Sequence, residues 1–247
     1  MRRRNKIFLA ISSLLLLVIV GFVIWAETPL GPMPEADGAL IPNAEVDVAQ
    51  SQWLIFSPHG LKTTTGFIIY PGGRVNPKSY SPLAQMIAAK GFLVAIIPMP
   101  LNLAVLGSNR AEEILKAYPN IKFWAIGGHS LGGTMAARFA YRNPSKTQGL
   151  VLWAAYPASG DNLSNTHIAT LTIHGTNDGL VSASQIDDSM KFLPRDAVRL
   201  EIMGGNHAQF GWYGNQAGDN TATISREVQQ EQVAEATFRL LKEISSP

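Results

Sequence analysis

Three residues, Ser130, Asp178 and His207, could together cleave an acyl bond. A serine hydroxyl is a weak nucleophile and needs a base. The base in turn needs a third group to fix its tautomer and stabilise its cation. Ser130 lies in Gly128-His129-Ser130-Leu131-Gly132, between an apolar run, Phe123-Trp124-Ala125-Ile126, and a helix-like run from Thr134 to Arg142. This is G-x-S-x-G in a strand–turn–helix setting. A serine raised to the tip of so sharp a turn needs neighbours without side chains, because the strand and helix backbones close in on both sides. Asp178 follows the apolar Leu171-Thr172-Ile173 in the loop His174-Gly175-Thr176-Asn177-Asp178, and His207 follows Leu200-Glu201-Ile202-Met203 in Gly204-Gly205-Asn206-His207. Each therefore sits just past a strand, and separations of 48 and 29 residues leave room for a strand–helix unit between them.

Rival acids are Asp161, Asp187 and Asp188, but the last two fall on a predicted helix. His129 holds the x position of the turn, where its ring can border the site without reaching round as base. His174 reads as a strand-end residue, and His59 and His167 as solvated loop residues. A developing oxyanion needs two backbone N–H groups. One is expected from Leu131, just after the serine, and the other from the loop Tyr70-Pro71-Gly72-Gly73-Arg74, with Gly72 favoured and Gly73 close behind. Arg74 reads as solvated or as a contact for a substrate carboxylate. The chain has no cysteine, and no two histidines have metal-ligand spacing, so neither a metal nor a cofactor is expected.

The elements that must position these residues alternate. Strands are expected at 53–56, 66–70, 92–97, 123–126, 150–155, 169–173 and 198–203. Helices are expected at 82–90, 109–117, 134–142, 184–192 and 225–243. Uninterrupted apolar strands separated by helices imply an α/β fold, a mostly parallel sheet with helices on both faces. A short polar turn between the first two strands suggests an antiparallel hairpin at the start. Trp212 and Tyr213, in the long segment 209–223 after His207, could wall a pocket or pack the loop down. The apolar stretch 98–107 could line a pocket or belong to the core.

Taken together, Tyr70-Pro71-Gly72-Gly73, Gly128-His129-Ser130-Leu131-Gly132, His174-Gly175-Thr176-Asn177-Asp178 and Gly205-Asn206-His207-Ala208-Gln209-Phe210-Gly211 make residues 50–245 resemble the α/β-hydrolase superfamily. The resemblance is to its small, lid-poor bacterial branch of esterase-like and dienelactone hydrolase-like proteins. It implies Ser130 as nucleophile, Asp178 as acid and His207 as base, acting on a small-molecule ester. Dienelactone hydrolases use a cysteine nucleophile, and this chain has none. The oxyanion loop also departs from the more usual His-Gly start. An acyltransferase or peptidase with the same triad, or a binding protein on this fold, are the alternatives. No lid-sized insertion separates Ala155 from Ala169.

The N-terminus carries a different signal. Arg2, Arg3, Arg4 and Lys6 precede residues 7–26, which bear no charge. At about 1.5 Å per residue such a helix spans roughly the 30 Å hydrocarbon layer of a bilayer. The basic cluster places residues 1–6 in the cytoplasm and the remainder outside. An uncleaved anchor is favoured over a cleaved signal peptide, because Val23-Ile24-Trp25-Ala26 is a poor small-x-small site and the apolar run is long for a signal. Secretion after cleavage is the alternative. Residues 27–44, rich in proline, read as an extended linker, and 45–247 as the hydrolase domain. Without the four N-terminal cations, 16 basic residues face 18 acidic ones, so no nucleic-acid-binding surface is expected. An apolar content of 46% in 247 residues is ample for one α/β domain. Oligomeric state is not legible here.

Overall fold

An apolar run without polar alternation is the pattern of a strand covered on both faces. The computed structural model describes residues 3–245 and shows several such strands. The basic segment 1–6 lies outside the described side chains. The chain begins with helix α1 (Arg3–Ala26), a short helix α2 (Pro34–Gly38) and the antiparallel strands β1 (Val46–Gln50) and β2 (Leu54–Pro58). There follow β3 (Thr65–Tyr70), α3 (Ser81–Ala88), β4 (Leu93–Ile96), α4 (Ala111–Ala117), β5 (Phe123–His129), α5 (Leu131–Arg142) and β6 (Gly149–Trp153). The domain closes with β7 (Ala169–Gly175), α6 (Ala183–Ser189), β8 (Val198–Ile202) and α7 (Arg226–Ile244).

The described strands form one eight-stranded sheet in the order β1-β2-β4-β3-β5-β6-β7-β8. Strands β3 to β8 run parallel, and β2 joins β1 and β4 antiparallel. Alternation across β3 divides the core. Phe67 and Ile69 pack with Leu83 and Ile87 of α3 and Val233 and Leu240 of α7; Ile68 and Tyr70 pack with Met135 and Phe139 of α5 and Ile114 of α4. Burying each such side chain contributes about 1.5–3 kcal/mol. On α7 the buried residues Val233, Ala234, Thr237, Leu240, Leu241 and Ile244 recur at helical spacing, and Ser225 caps the helix by accepting from Val228 N–H.

The exchange of β3 and β4 in the sheet order matters most for the site. It seats β3 beside β5, with Tyr70 opposite Gly128. The loop after β3 therefore emerges next to the turn after β5, at the carboxyl edge where the parallel strands all end. That approach is close. A Cβ on Gly132 would overlap the carbonyl oxygens of Tyr70 and Pro71, and one on Gly128 would overlap the Tyr70 carbonyl.

Two expectations are corrected. The opening hairpin is β1–β2, whereas β2 and β3 are separated in the sheet by β4. The sequence reading missed β1 because, as an edge strand, it buries only Val46 fully. Residues 28–42 are not extended throughout. They include α2 and lie on the domain, where Leu30 N–H donates to the Arg74 carbonyl, Met33 N–H to the Trp212 carbonyl and Asn76 N–H to the Leu30 carbonyl.

Two predictions follow from this packing. Gly132→Ala should destabilise the domain by at least about 1–3 kcal/mol through overpacking against backbone, whereas Gly38→Ala, with nothing within 4 Å of the new Cβ, should be near neutral. Thermal melts of the two variants test this, and equal melting temperatures would refute it. The second prediction concerns His129 and His174, which are buried at the ends of β5 and β7. Burial first, then the charge of His207 on one and of Arg199 on the other, lowers both pKa values. The unfolded chain thus takes up protons below a pH of about 6.5 that the fold refuses, and stability should fall as the pH drops below that value. Melting temperatures at pH 7.5, 6.5 and 5.5 check this, with a shallower decline expected for His174→Gln.

Candidate active site

Ser130 follows β5 directly and adopts φ 52° and ψ −124°, a conformation that non-glycine residues rarely hold. Its N–H donates to the Trp153 carbonyl on β6, and its carbonyl accepts from Thr134 N–H as α5 begins. The turn is thus tied to the neighbouring strand on one side and to its own helix on the other. The Ser130 side chain does not cap α5, which leaves Oγ at the sheet edge.

Asp178 and His207 are brought together. His207 Nδ1 lies 2.8 Å from Asp178 Oδ2, and both side chains are buried. Asp178 Oδ1 accepts from Leu180 N–H and Val181 N–H, so the carboxylate is held as an acceptor at both oxygens. That arrangement makes His207 Nδ1 the donor and leaves Nε2 as the basic nitrogen. Nε2 is buried and has no hydrogen-bond partner among the described residues. The ring of His129, next in the chain to Ser130, lies 4.4 Å from the His207 ring. Ser130 Oγ and His207 Nε2 are not themselves hydrogen-bonded; such contacts are often loose without substrate and tighten with it.

The two loop glycines differ. Gly72 N–H donates to Tyr80 Oη at 2.9 Å, deep in the protein, so it does not face the site. Tyr80 Oη also lies 2.9 Å from His129 Nδ1. Since that oxygen accepts from Gly72, its own hydrogen goes to His129, whose low pKa keeps the ring neutral. A buried chain therefore runs from the β3 loop through Tyr80 to the x residue of the turn. Gly73 faces Leu131, and a Cβ there would stand 3.1 Å from Leu131 Cδ2. Among the described residues neither Gly73 N–H nor Leu131 N–H donates to a protein acceptor.

Several residues that the sequence reading passed over hold these loops. Asp219 accepts from His207 N–H and Ala208 N–H on the loop after β8 and from Gly179 N–H on the loop after β7. Gln229 of α7 is fully buried and bonds both the N–H and the carbonyl of Asn206. The only sequence signal for Asp219 was its place in the long segment after the base. Trp212 and Tyr213 are buried; Tyr213 packs against Gly31 and near His129, and so pins that segment down. Asp161 pairs with Arg138, Asp187 with Arg199, and Asp188 is exposed on α6. Arg74 neither floats in solvent nor faces the site. Its guanidinium bonds the carbonyls of Trp25 and Thr28 and lies over the Trp25 ring. In the stretch 98–107, Met99 and Ala104 are buried while Val105 and Leu106 are exposed. No group of three or more His, Cys, Asp or Glu that could hold a metal is found among the described residues. A groove of about 570 Å³ between β8 and α7 contains none of these site residues.

Solved structures share this architecture. Esterase 2 of Thermogutta terrifontis, phosphoramylated by tabun, superposes with a TM-score of 0.61 at 13% identity over 83% of this chain and 98% of its own. TT1662 from Thermus thermophilus gives 0.59 at 13% over 82% and 99%, and a predicted CIB-like hydrolase from Thermoplasma acidophilum 0.56 at 13% over 78% and 99%. At that identity the likeness is one of fold. No curated protein sequence matches the chain. The sequence profile of the Alpha/beta hydrolase family matches residues 66–231, from the start of β3 into α7, and the chain is a member of the Alpha/beta hydrolase family.

Proposed function

We propose that this protein is a serine hydrolase of carboxylic esters, held at the membrane by residues 7–26 with its hydrolase domain outside the cytoplasm. The buried Asp178–His207 pair carries the reading: its Nε2 has no partner among the described residues, and its ring lies 4.4 Å from that of His129, the residue before the strained Ser130. A buried nitrogen with no partner calls for an explanation, and a general base supplies one. Ser130 Oγ attacks the ester carbonyl and gives its proton to His207 Nε2. Leu131 N–H and Gly73 N–H stabilise the oxyanion. His207 returns the proton to the leaving alcohol, and an acyl-enzyme forms. Water, deprotonated by His207, then releases the acid and restores Ser130. The Thermogutta esterase, seen with butyrate and with propionate bound, gives a precedent for short acyl groups on this fold.

The membrane part rests on α1. Residues 8–25 are exposed along their whole length, and Phe8–Ala26 is long and apolar enough to cross a bilayer. A signal sequence passes the same test, so the mass of the mature chain decides between them.

Fluorophosphonate should label Ser130, and Ser130→Ala should lose both labelling and p-nitrophenyl ester hydrolysis while melting like the parent. Asp178→Asn should lower kcat by roughly a thousandfold or more, because His207 would lose its fixed tautomer. Unchanged turnover in either variant would defeat the hydrolase reading. Intact mass of the chain extracted from membranes should correspond to an uncleaved N-terminus; a mass beginning at Glu27 would defeat the anchor.

A further inference from the structure

Helix α1 ends against the loop after β3 and the stretch 98–107, on Arg74 and Asn102. A helix leaves its last carbonyls without internal partners. Here the domain and the adjoining loop take them up. Asn102 Nδ2 donates to the Ala26 carbonyl at 3.0 Å, Arg74 Nε to the Trp25 carbonyl at 2.7 Å, and Thr28 Oγ1 to the Ile24 carbonyl at 3.0 Å. Arg74 also places its charge at the negative end of the helix and stacks 4.3 Å above Trp25. Ala26 is fully buried, unlike residues 8–25. The two partners are themselves joined, since Arg74 N–H donates to the Asn102 carbonyl. Arg74, Leu101 and Asn102 all hold positive φ, a local strain that a defined contact must support. The helix is thus docked at its outer end, and does not hang from a free tether.

Gly73, the oxyanion donor proposed above, immediately precedes Arg74. Leu103 follows Asn102 and lies against Gly73, which also faces Leu131, and the turn Ala104–Leu106 packs on α5. That turn leaves Val105 and Leu106 exposed by 47% and 53%. If α1 spans the bilayer, its hydrocarbon segment ends at Trp25 and Ala26, and the headgroup zone extends only roughly 5–8 Å further. Residues bonded directly to Ala26, and those a few positions along the same loop, fall within or beside that zone. Exposed Val and Leu are favoured there and costly in water.

Resting on the anchored-hydrolase reading, we infer that the mouth of the site opens on the outer surface of the bilayer, that Val105 and Leu106 seat in that surface, and that the substrates are acyl esters of amphiphiles residing in the membrane. A soluble ester would reach such a mouth only along the interface. A membrane-borne ester would present its carbonyl at the depth of Gly73 and Leu131.

The test uses the full chain reconstituted in phosphatidylcholine/phosphatidylglycerol vesicles. Because the chain has no cysteine, Leu106→Cys gives a single labelling site. A nitrobenzoxadiazole probe there should be quenched by lipid spin-labelled near the top of the acyl chain. The same probe on Ser145→Cys, past the far end of α5, should not be. In the double variant Val105→Asp/Leu106→Asp, hydrolysis of a long-chain ester embedded in the vesicles should fall by about tenfold or more, in line with the loss of apolar contact. Turnover of p-nitrophenyl acetate should change by less than twofold. An unquenched probe at Leu106 on a chain that floats with the vesicles, or equal effects on both substrates, would overturn the inference while fluorophosphonate labelling of Ser130 stayed intact. Loss of that labelling in the parent would instead defeat the hydrolase reading, and a parent that failed to float would overturn both the anchor and the membrane-facing mouth.

Discussion

A serine held at φ 52° is strained by roughly 1–3 kcal/mol, and the fold around it supplies what keeps it there. The Ser130 N–H is bound to β6 and its carbonyl to α5, so relaxing the turn would break a link on each side. Gly128 and Gly132 press against the Tyr70 carbonyl, which forces β3 and its loop alongside. The same closeness makes Gly73 a neighbour of Leu131. The serine turn and the close packing of β3 against β5 are therefore a single constraint, and the exchange of β3 and β4 in the strand order is what makes it possible.

Asp178 and His207 stand on loops that β7 and β8 bring to the same edge, but the strands alone leave those loops free to diverge. Asp219 reaches both, and Gln229 clamps the His207 loop from α7. Buried hydrogen bonds are hard to exchange for water, so this network limits the ways in which the Asp178–His207 pair can move. Tyr80 and His129 act in the same sense on the other flank by linking the β3 loop to the serine turn. His129 is neutral and already engaged at Nδ1, unlike His207 with its unpartnered Nε2.

The junction at Trp25 and Ala26 adds a boundary to this edge of the sheet. Arg74 serves two neighbours, with its backbone continuing the loop after β3 and its side chain closing the end of α1. Helix α1 is thus joined to the loop carrying Gly73 through both Arg74 and Asn102, and Leu30, Met33 and Gly31 add further contacts with the domain.

Much of this was legible in the residues themselves. Apolar runs bounded by Gly and Pro marked the buried strands, and G-x-S-x-G between a strand and a helix marked the turn, because local pattern and backbone sterics decide such features. The places of Asp178 and His207 just after successive strands were legible from the apolar runs before them. The long uncharged run 7–26 was equally plain. Other features depended on residues far apart in sequence. Whether Gly72 or Gly73 keeps a free N–H turns on Tyr80, which no spacing rule links to either. The weak strand β1 needed β2 beside it, and the proline-rich segment needed Trp212 and Arg74. Asp219 became a structural bridge only once two loops met. Local sequence determined which elements form and which side chains of reactive type stand at their ends; tertiary contact decided which hydrogen bonds remain unmade, because a donor is free or engaged only in relation to what the folded chain brings next to it.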